Sequence, residues 1–171
     1  RLRALLVAGG EPFLCDHRAD LLAEYHHGCG VRFAQIPTLG YHHARIHRCL
    51  ETVAKTCPAL DLTVNVSLDG FQPFHDANRK VKGAFDRAVE TVRRLVAWRA
   101  AAMPRLRVNV VSVLMPATMR QLRPLAEWLR DEVGPDLHIL EIVREKDFHA
   151  NNGARAEVES LVTVWTALTR A

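Results

Sequence analysis

The sequence predicts an α/β protein built on a parallel sheet. Apolar runs of strand length alternate with helix-period segments five times over. Such alternation means parallel strands joined by crossover helices. The chain has 171 residues, 49% of them apolar, and a mean hydropathy of -0.05. That is enough for one domain, spanning residues 1–171, with its own core. No apolar run reaches the ~20 residues that a spanning helix needs, and no charged leader with a cleavage site precedes the first apolar run.

Residues 3–8 form the first apolar run and read as a buried strand. It ends in Gly9-Gly10-Glu11-Pro12. Glycine lets a ligand approach the backbone, and proline stiffens the turn. Glu11 then stands at the carboxyl end of a strand, where α/β folds keep their ligands. Asp16 to His26 has helical spacing, with Asp16 as its N-cap and Gly28-Cys29-Gly30 as its stop. Val31 to Ile36 is the second strand, closed by Pro37-Thr38-Leu39-Gly40. Tyr41 to Thr56 is a helix with Ile46, Leu50 and Val53 on one side, and Pro58 follows its end. Leu62 to Ser67 is the third strand.

Phe71 to Lys82 reads as a long polar loop containing Pro73. Gly83 to Ala102 is a long amphipathic helix with Phe85, Val89, Val92, Leu95 and Val96 on its apolar side. Arg107 to Leu114 is a strand, Pro116 breaks it, and Thr118 caps a helix that runs to about Glu132. Leu137 to Val143 is the fifth strand. Glu145 to Gly153 reads as irregular, and Ala154 to Arg170 as a last helix. Periodicity leaves both an open doubly wound sheet and part of a (β/α) barrel available.

The formal charge is +4, with a pI of about 9.1. Its arginines are scattered rather than gathered with aromatics, and no nucleic-acid module is visible. Cys15, Cys29, Cys49 and Cys57 match no zinc ribbon, CxxC or cluster spacing, so free thiols in a reducing compartment are expected. His43 and His47 are four apart on one helix face, yet no carboxylate or cysteine completes a metal site at a recognisable spacing. GxGxxG, P-loop, HExxH and GxSxG motifs are absent from the sequence.

Three stretches stand in a fixed order: Gly9-Gly10-Glu11-Pro12, then Ser67-Leu68-Asp69-Gly70, then His75-Asp76 with Arg79 and Gly83-Ala84-Phe85-Asp86. This order resembles the radical S-adenosylmethionine (SAM) superfamily, and most of all the branch that includes peptide-modifying maturases. The resemblance runs from about Leu5 to about Val143. It implies a partial (β/α)₆ TIM-like barrel lacking its first strand, so that strands two to six remain. The CxxxCxxC motif that holds the family's 4Fe–4S cluster is expected upstream of Arg1. Leu39 stands where the family usually has Asn.

The resemblance implies an enzyme that cleaves SAM reductively at the cluster and uses the 5′-deoxyadenosyl radical on an unidentified substrate, with a peptide as one candidate. The cofactor carries that chemistry, and the protein binds and orients it. The implied SAM-binding residues are Gly9, Gly10, Glu11 and Pro12, with Glu11 accepting from the methionine ammonium. Ser67 and Asp69 are implied at the ribose or methionyl part, with Asp69 equally readable as a turn residue. Arg79 is implied at the SAM carboxylate, and a loop salt bridge with Asp76 is its alternative. Asn109, like Ser112, sits in a buried strand, either facing the adenosine or substrate or bonded within the scaffold. Glu141 is a candidate for the substrate pocket.

The implied partners are SAM, the substrate and an electron donor for the cluster, with neither nucleic acid nor membrane among them. The implied compartment is the cytoplasm. The alternative function is a degenerate, non-catalytic barrel used for binding or interaction.

Overall fold

The computed structural model describes residues 2–115 and 117–142. Five strands, β1 (Ala4–Leu6), β2 (Phe33–Thr38), β3 (Asp61–Ser67), β4 (Leu106–Leu114) and β5 (Leu137–Ile142), form one sheet. All neighbours pair in parallel, in the order β1-β2-β3-β4-β5. Each crossover therefore steps one strand in the same direction. Right-handed crossovers of that kind put every helix on one face of the sheet. The chain is thus α/β with an all-parallel five-strand sheet, compatible with an arc of an α/β barrel. Val143, the Glu145–Gly153 stretch, the expected Ala154–Arg170 helix and Pro116 lie outside the described residues.

The pairing register sorts the side chains. Ala34, Ile36, Leu62, Val64, Val66, Val108 and Val110 share one core with residues from the helices. These helices are α1 (Arg18–Cys29), α2 (His43–Thr56), α4 (Ala84–Ala102) and α5 (Met119–Trp128). Leu22, Ile46, Leu50, Val92, Leu95 and Leu125 are their main contributions. The opposite face carries Gln35, Thr63, Asn65, Ser67, Asn109 and Val111, which alternate with the core residues in the ladder.

Several local expectations change. α1 begins at Arg18, and Asp16 does not cap it; a 3-10 turn over Pro12–Leu14 comes first, and Asp16 instead pairs with Arg45 at 3.1 Å. Gly28 and Cys29 lie inside α1, which ends at Gly30 in the left-handed region. Pro37 and Thr38 belong to β2 instead of closing it. Pro37 is tolerated because its missing N–H faces the β1 side, and β1 pairs only as far as Leu6 and the Val7 amide.

The stretch expected as a loop over Phe71–Lys82 contains a helix, α3 (Gln72–Arg79). Pro73 sits in its first turn, where a missing donor costs nothing, and Lys80 ends it with φ 54°. Asp76, on α3, caps α4 from a distance: its carboxylate accepts from Gly83 N (2.6 Å) and Phe85 N (2.9 Å). Thr118 precedes α5 but does not cap it. Its hydroxyl donates within the turn, to Met115 O at 2.9 Å, and accepts from Met115 N. α5 passes at Leu129–Val133 into a π turn that Gly134 terminates.

Gly40, after β2, fixes the approach of that turn to α4. Its φ is +75°, and a Cβ there would lie 2.9 Å from Val66 Cγ1 and 3.0 Å from Ala88 Cα. We predict that Gly40→Ala lowers stability by about 2–4 kcal/mol, from left-handed strain plus overpacking. Gly28→Ala, inside α1 with open space around it, raises stability by about 0.5–1 kcal/mol. Urea denaturation of both variants checks the pair, and equal effects would contradict the packing account. A second expectation concerns β1. It is an edge strand of three residues among the described residues and, against the expected buried strand over residues 3–8, is largely exposed, with Leu6 at its end and Leu2 before it both open. An uncovered edge beside apolar side chains favours association. Sedimentation should show concentration-dependent oligomers, and a monodisperse monomer at all concentrations would refute this.

Candidate functional site

An all-parallel sheet brings the carboxyl ends of its strands to one rim. Beyond β1, Gly9 (φ +85°) and Gly10 (φ +47°) are exposed, and a Cβ on either would meet nothing within 4 Å. The backbone there is open to a ligand. Pro12 is buried and starts the 3-10 turn, and its carbonyl accepts from Arg18 Nε at 3.3 Å.

Glu11 reaches across to the end of β2. Thr38 Oγ1 donates to its carboxylate, 2.9 Å from either oxygen, and Leu39 N donates to Oε2 at 2.7 Å. Phe13 N donates to Oε1 at 3.3 Å, so Glu11 also caps the 3-10 turn. These donors are all neutral, and they hold the carboxylate in place without cancelling its charge. Leu39 contributes its backbone, which the departure from Asn leaves intact.

At the end of β3, Ser67 is half-buried on the face away from the helices. Asp69 is fully buried and belongs to the scaffold. It accepts from Arg79 Nη2 (2.8 Å), Asn78 Nδ2 (2.9 Å) and Val113 N (3.3 Å), tying β3 to α3 and β4. Arg79 thus pairs with Asp69, not with Asp76. Asp69 N donates to His75 Nδ1 at 3.1 Å, which places the neutral imidazole's proton on Nε2. His75 Nε2, Arg79 Nε and the Tyr41 hydroxyl are buried with no hydrogen-bond partner among the described residues. Burial pushes the Tyr41 phenol up and the His75 imidazole down, the latter against the pull of Asp69. Bonds from the Phe85 and Gly83 amides hold the Asp76 carboxyl below the usual range.

Asn109 and Ser112 lie on opposite faces of β4. Asn109 Nδ2 donates to Asn65 Oδ1 at 3.1 Å on the face away from the helices, and Asn109 Oδ1 is buried without a partner among the described residues. Ser112 points to the helix side, donates to Leu68 O at 2.5 Å, and so accepts from His138 Nε2 at 2.7 Å. Burial lowers the His138 pKa to about 4. Glu141 is exposed on β5.

The structure therefore brings Glu11, Ser67, Asp69 and Arg79 to one rim and leaves Asn109 part-way down the sheet. The sequence reading gave no individual role to Thr38, Tyr41, His75 or Asn78. The four cysteines are free, and no group of three or more His, Cys, Asp or Glu able to hold a metal exists among the described residues. His43 and His47 accordingly lack a third ligand there. None of the described helices is long and apolar enough to cross a membrane. No protein-family model matches the chain, and no curated protein matches it.

The histidines set a pH dependence. His138 is neutral in the fold and protonates more readily when unfolded, so the unfolded state gains protons as pH falls. Stability is fully present above pH ~6.5, the ordinary histidine pKa, and is lost as pH falls towards the folded value of about 4. His75 acts with the same sign, and Asp76 adds a further loss below its ordinary carboxylate range. Thermal melts between pH 7 and pH 4 should show a falling Tm, with a shallower fall in His138→Gln. An unchanged slope in that variant would rule out His138 as a contributor.

Proposed function

We propose that this chain is the SAM-binding part of a radical SAM core domain. The single observation that carries the reading is Glu11: a carboxylate held by neutral donors beside an open Gly9-Gly10 backbone at a strand's carboxyl end. An anion held rigid and left uncompensated suits a cationic ligand group such as the SAM ammonium. The ordered motif residues support the same reading, as does a parallel sheet whose strand ends share one rim.

In this reading the Gly9 and Gly10 backbone lies along the methionine moiety, Pro12 stiffens the turn, and Glu11 accepts from the ammonium. Ser67 faces the ribose or methionyl part. Arg79 keeps one nitrogen on Asp69 and offers the rest of its fork to the SAM carboxylate, so Asp69 positions Arg79 rather than touching ligand. Asn109 Oδ1, a buried acceptor without a partner among the described residues, suits an N–H of the adenosine or substrate. Bound SAM would supply a source of the 5′-deoxyadenosyl radical. The 4Fe–4S cluster would be held by the CxxxCxxC motif expected upstream of Arg1; the described residues contain no group of three or more possible metal ligands.

Equilibrium dialysis with SAM tests the site. Binding should weaken about tenfold in Glu11→Gln, the worth of a hydrogen bond to a charged group, and comparably in Arg79→Ala. Unchanged affinity in both variants, or no SAM binding by the parent chain, would sink the assignment.

A further inference from the structure

A groove of about 740 Å³ runs between α2 and α4 on the outer helix layer. Its apolar surface is Ala44, Leu95, Ala97 and the half-buried Trp98. Its polar walls are His43, His47, Arg48, Arg94 and Thr91, and none of the lining residues is acidic. Two acids beside the groove pair with its lining residues: Glu90 holds Arg94 through Nε (2.5 Å), leaving the Arg94 terminal nitrogens, and Glu51 lies 3.7 Å from His47. Arg48 has no carboxylate partner among the described residues. The imidazole of His47 and the indole of Trp98 sit 4.9 Å apart, tilted by 59°, and form an aromatic corner.

The volume falls within the ~300–1,000 Å³ of small-molecule sites. The length argues against a docked helix. Lining residues span positions 43–48 of α2 and 91–98 of α4, or roughly 8 and 11 Å of helix at 1.5 Å per residue. That accommodates one planar ring system and its polar head.

We propose that this groove binds a planar aromatic ligand bearing an anionic head, with Trp98 and His47 against the ring and Arg48 and Arg94 at the anion. Guanidinium groups match carboxylate and phosphate geometry, and indole offers the strongest aromatic surface for such a ring. The site lies outside the strand rim and does not depend on the SAM reading.

The test uses 2-naphthoate as probe, with 2-naphthol as its neutral counterpart and acetate as the anion without a ring. Binding is followed by NMR at the Trp98 indole N–H, identified by its loss in Trp98→Phe. The expected result is saturable binding of 2-naphthoate at least tenfold tighter than either control. Arg48→Gln and Arg94→Gln should each weaken it about fivefold or more, in line with a lost charge-assisted bond. Circular dichroism melts confirm that each variant folds, and the lysine substitution at the same position, which removes the bidentate fork, replaces a glutamine variant that does not. Equal binding of 2-naphthoate and 2-naphthol, or unchanged affinity in both arginine variants, overturns the proposal. So does a polyglutamate peptide that shifts the same indole signal more tightly than 2-naphthoate, since the groove would then be a protein-docking surface.

Discussion

Parallel strands laid down in chain order, with no reversal of direction, constrain nearly everything else in this molecule. With the right-handed crossovers that parallel units adopt, the helices accumulate on one side, and the ladder's period of two divides each strand between that side and the other. Core packing uses Ala34, Ile36, Leu62, Val64, Val66, Val108 and Val110. The remaining face carries Gln35, Thr63, Asn65, Ser67 and Asn109 beside Val111, and its polar groups need hydrogen-bond partners that an apolar core would not supply. The same winding brings the Gly9-Gly10 turn, the Thr38-Leu39 turn and the Asp69 turn to a common rim.

Carboxylates hold that rim together. Glu11 joins the ends of β1 and β2, Asp69 joins β3 to α3 and β4, and Asp76 joins α3 to the start of α4. Each accepts at least one backbone N–H, the group most costly to leave unpaired near a helix or strand end. They differ in what remains. Asp69 carries the charge of Arg79 against it, and Asp76 satisfies amides of a helix start. The donors on Glu11 are neutral. Three acids of one sequence pattern therefore have three electrostatic roles, and only Glu11 presents an unbalanced charge at the open end of a strand.

Much of this architecture was legible in the sequence, because strand-length apolar runs and helical spacing survive tertiary packing. Ile46, Leu50 and Val53 mark the buried side of α2 as expected, and Val89, Val92 and Leu95 do so for α4. What was illegible depends on distant partners. Little local to Phe71–Lys82 beyond the first-turn Pro73 says helix; α3 is held by Asp69 through Asn78 and Arg79 and by Asp76 on the Gly83 and Phe85 amides. The role of Thr38 is invisible until β1 and β2 are paired. The split of Asn109 from Ser112 was readable, because an odd spacing of three in a strand places residues on opposite faces. The spacing of Asp76 to Gly83 and Phe85 likewise encoded a cap, but a cap donated from outside the helix has no local signature.

Thr91 belongs to the wall of the α2–α4 groove, yet its hydroxyl donates to Gly40 O at 2.6 Å. Gly40 N in turn donates to Thr38 Oγ1, and Thr38 Oγ1 donates to Glu11. The tight contacts around Gly40 leave this chain little slack. The outer helix layer and the charged turn of the rim are thereby joined by three consecutive hydrogen bonds. The carboxylate's position is therefore tied to the packing of the outer layer as well as to its own short turn, through Phe13 N.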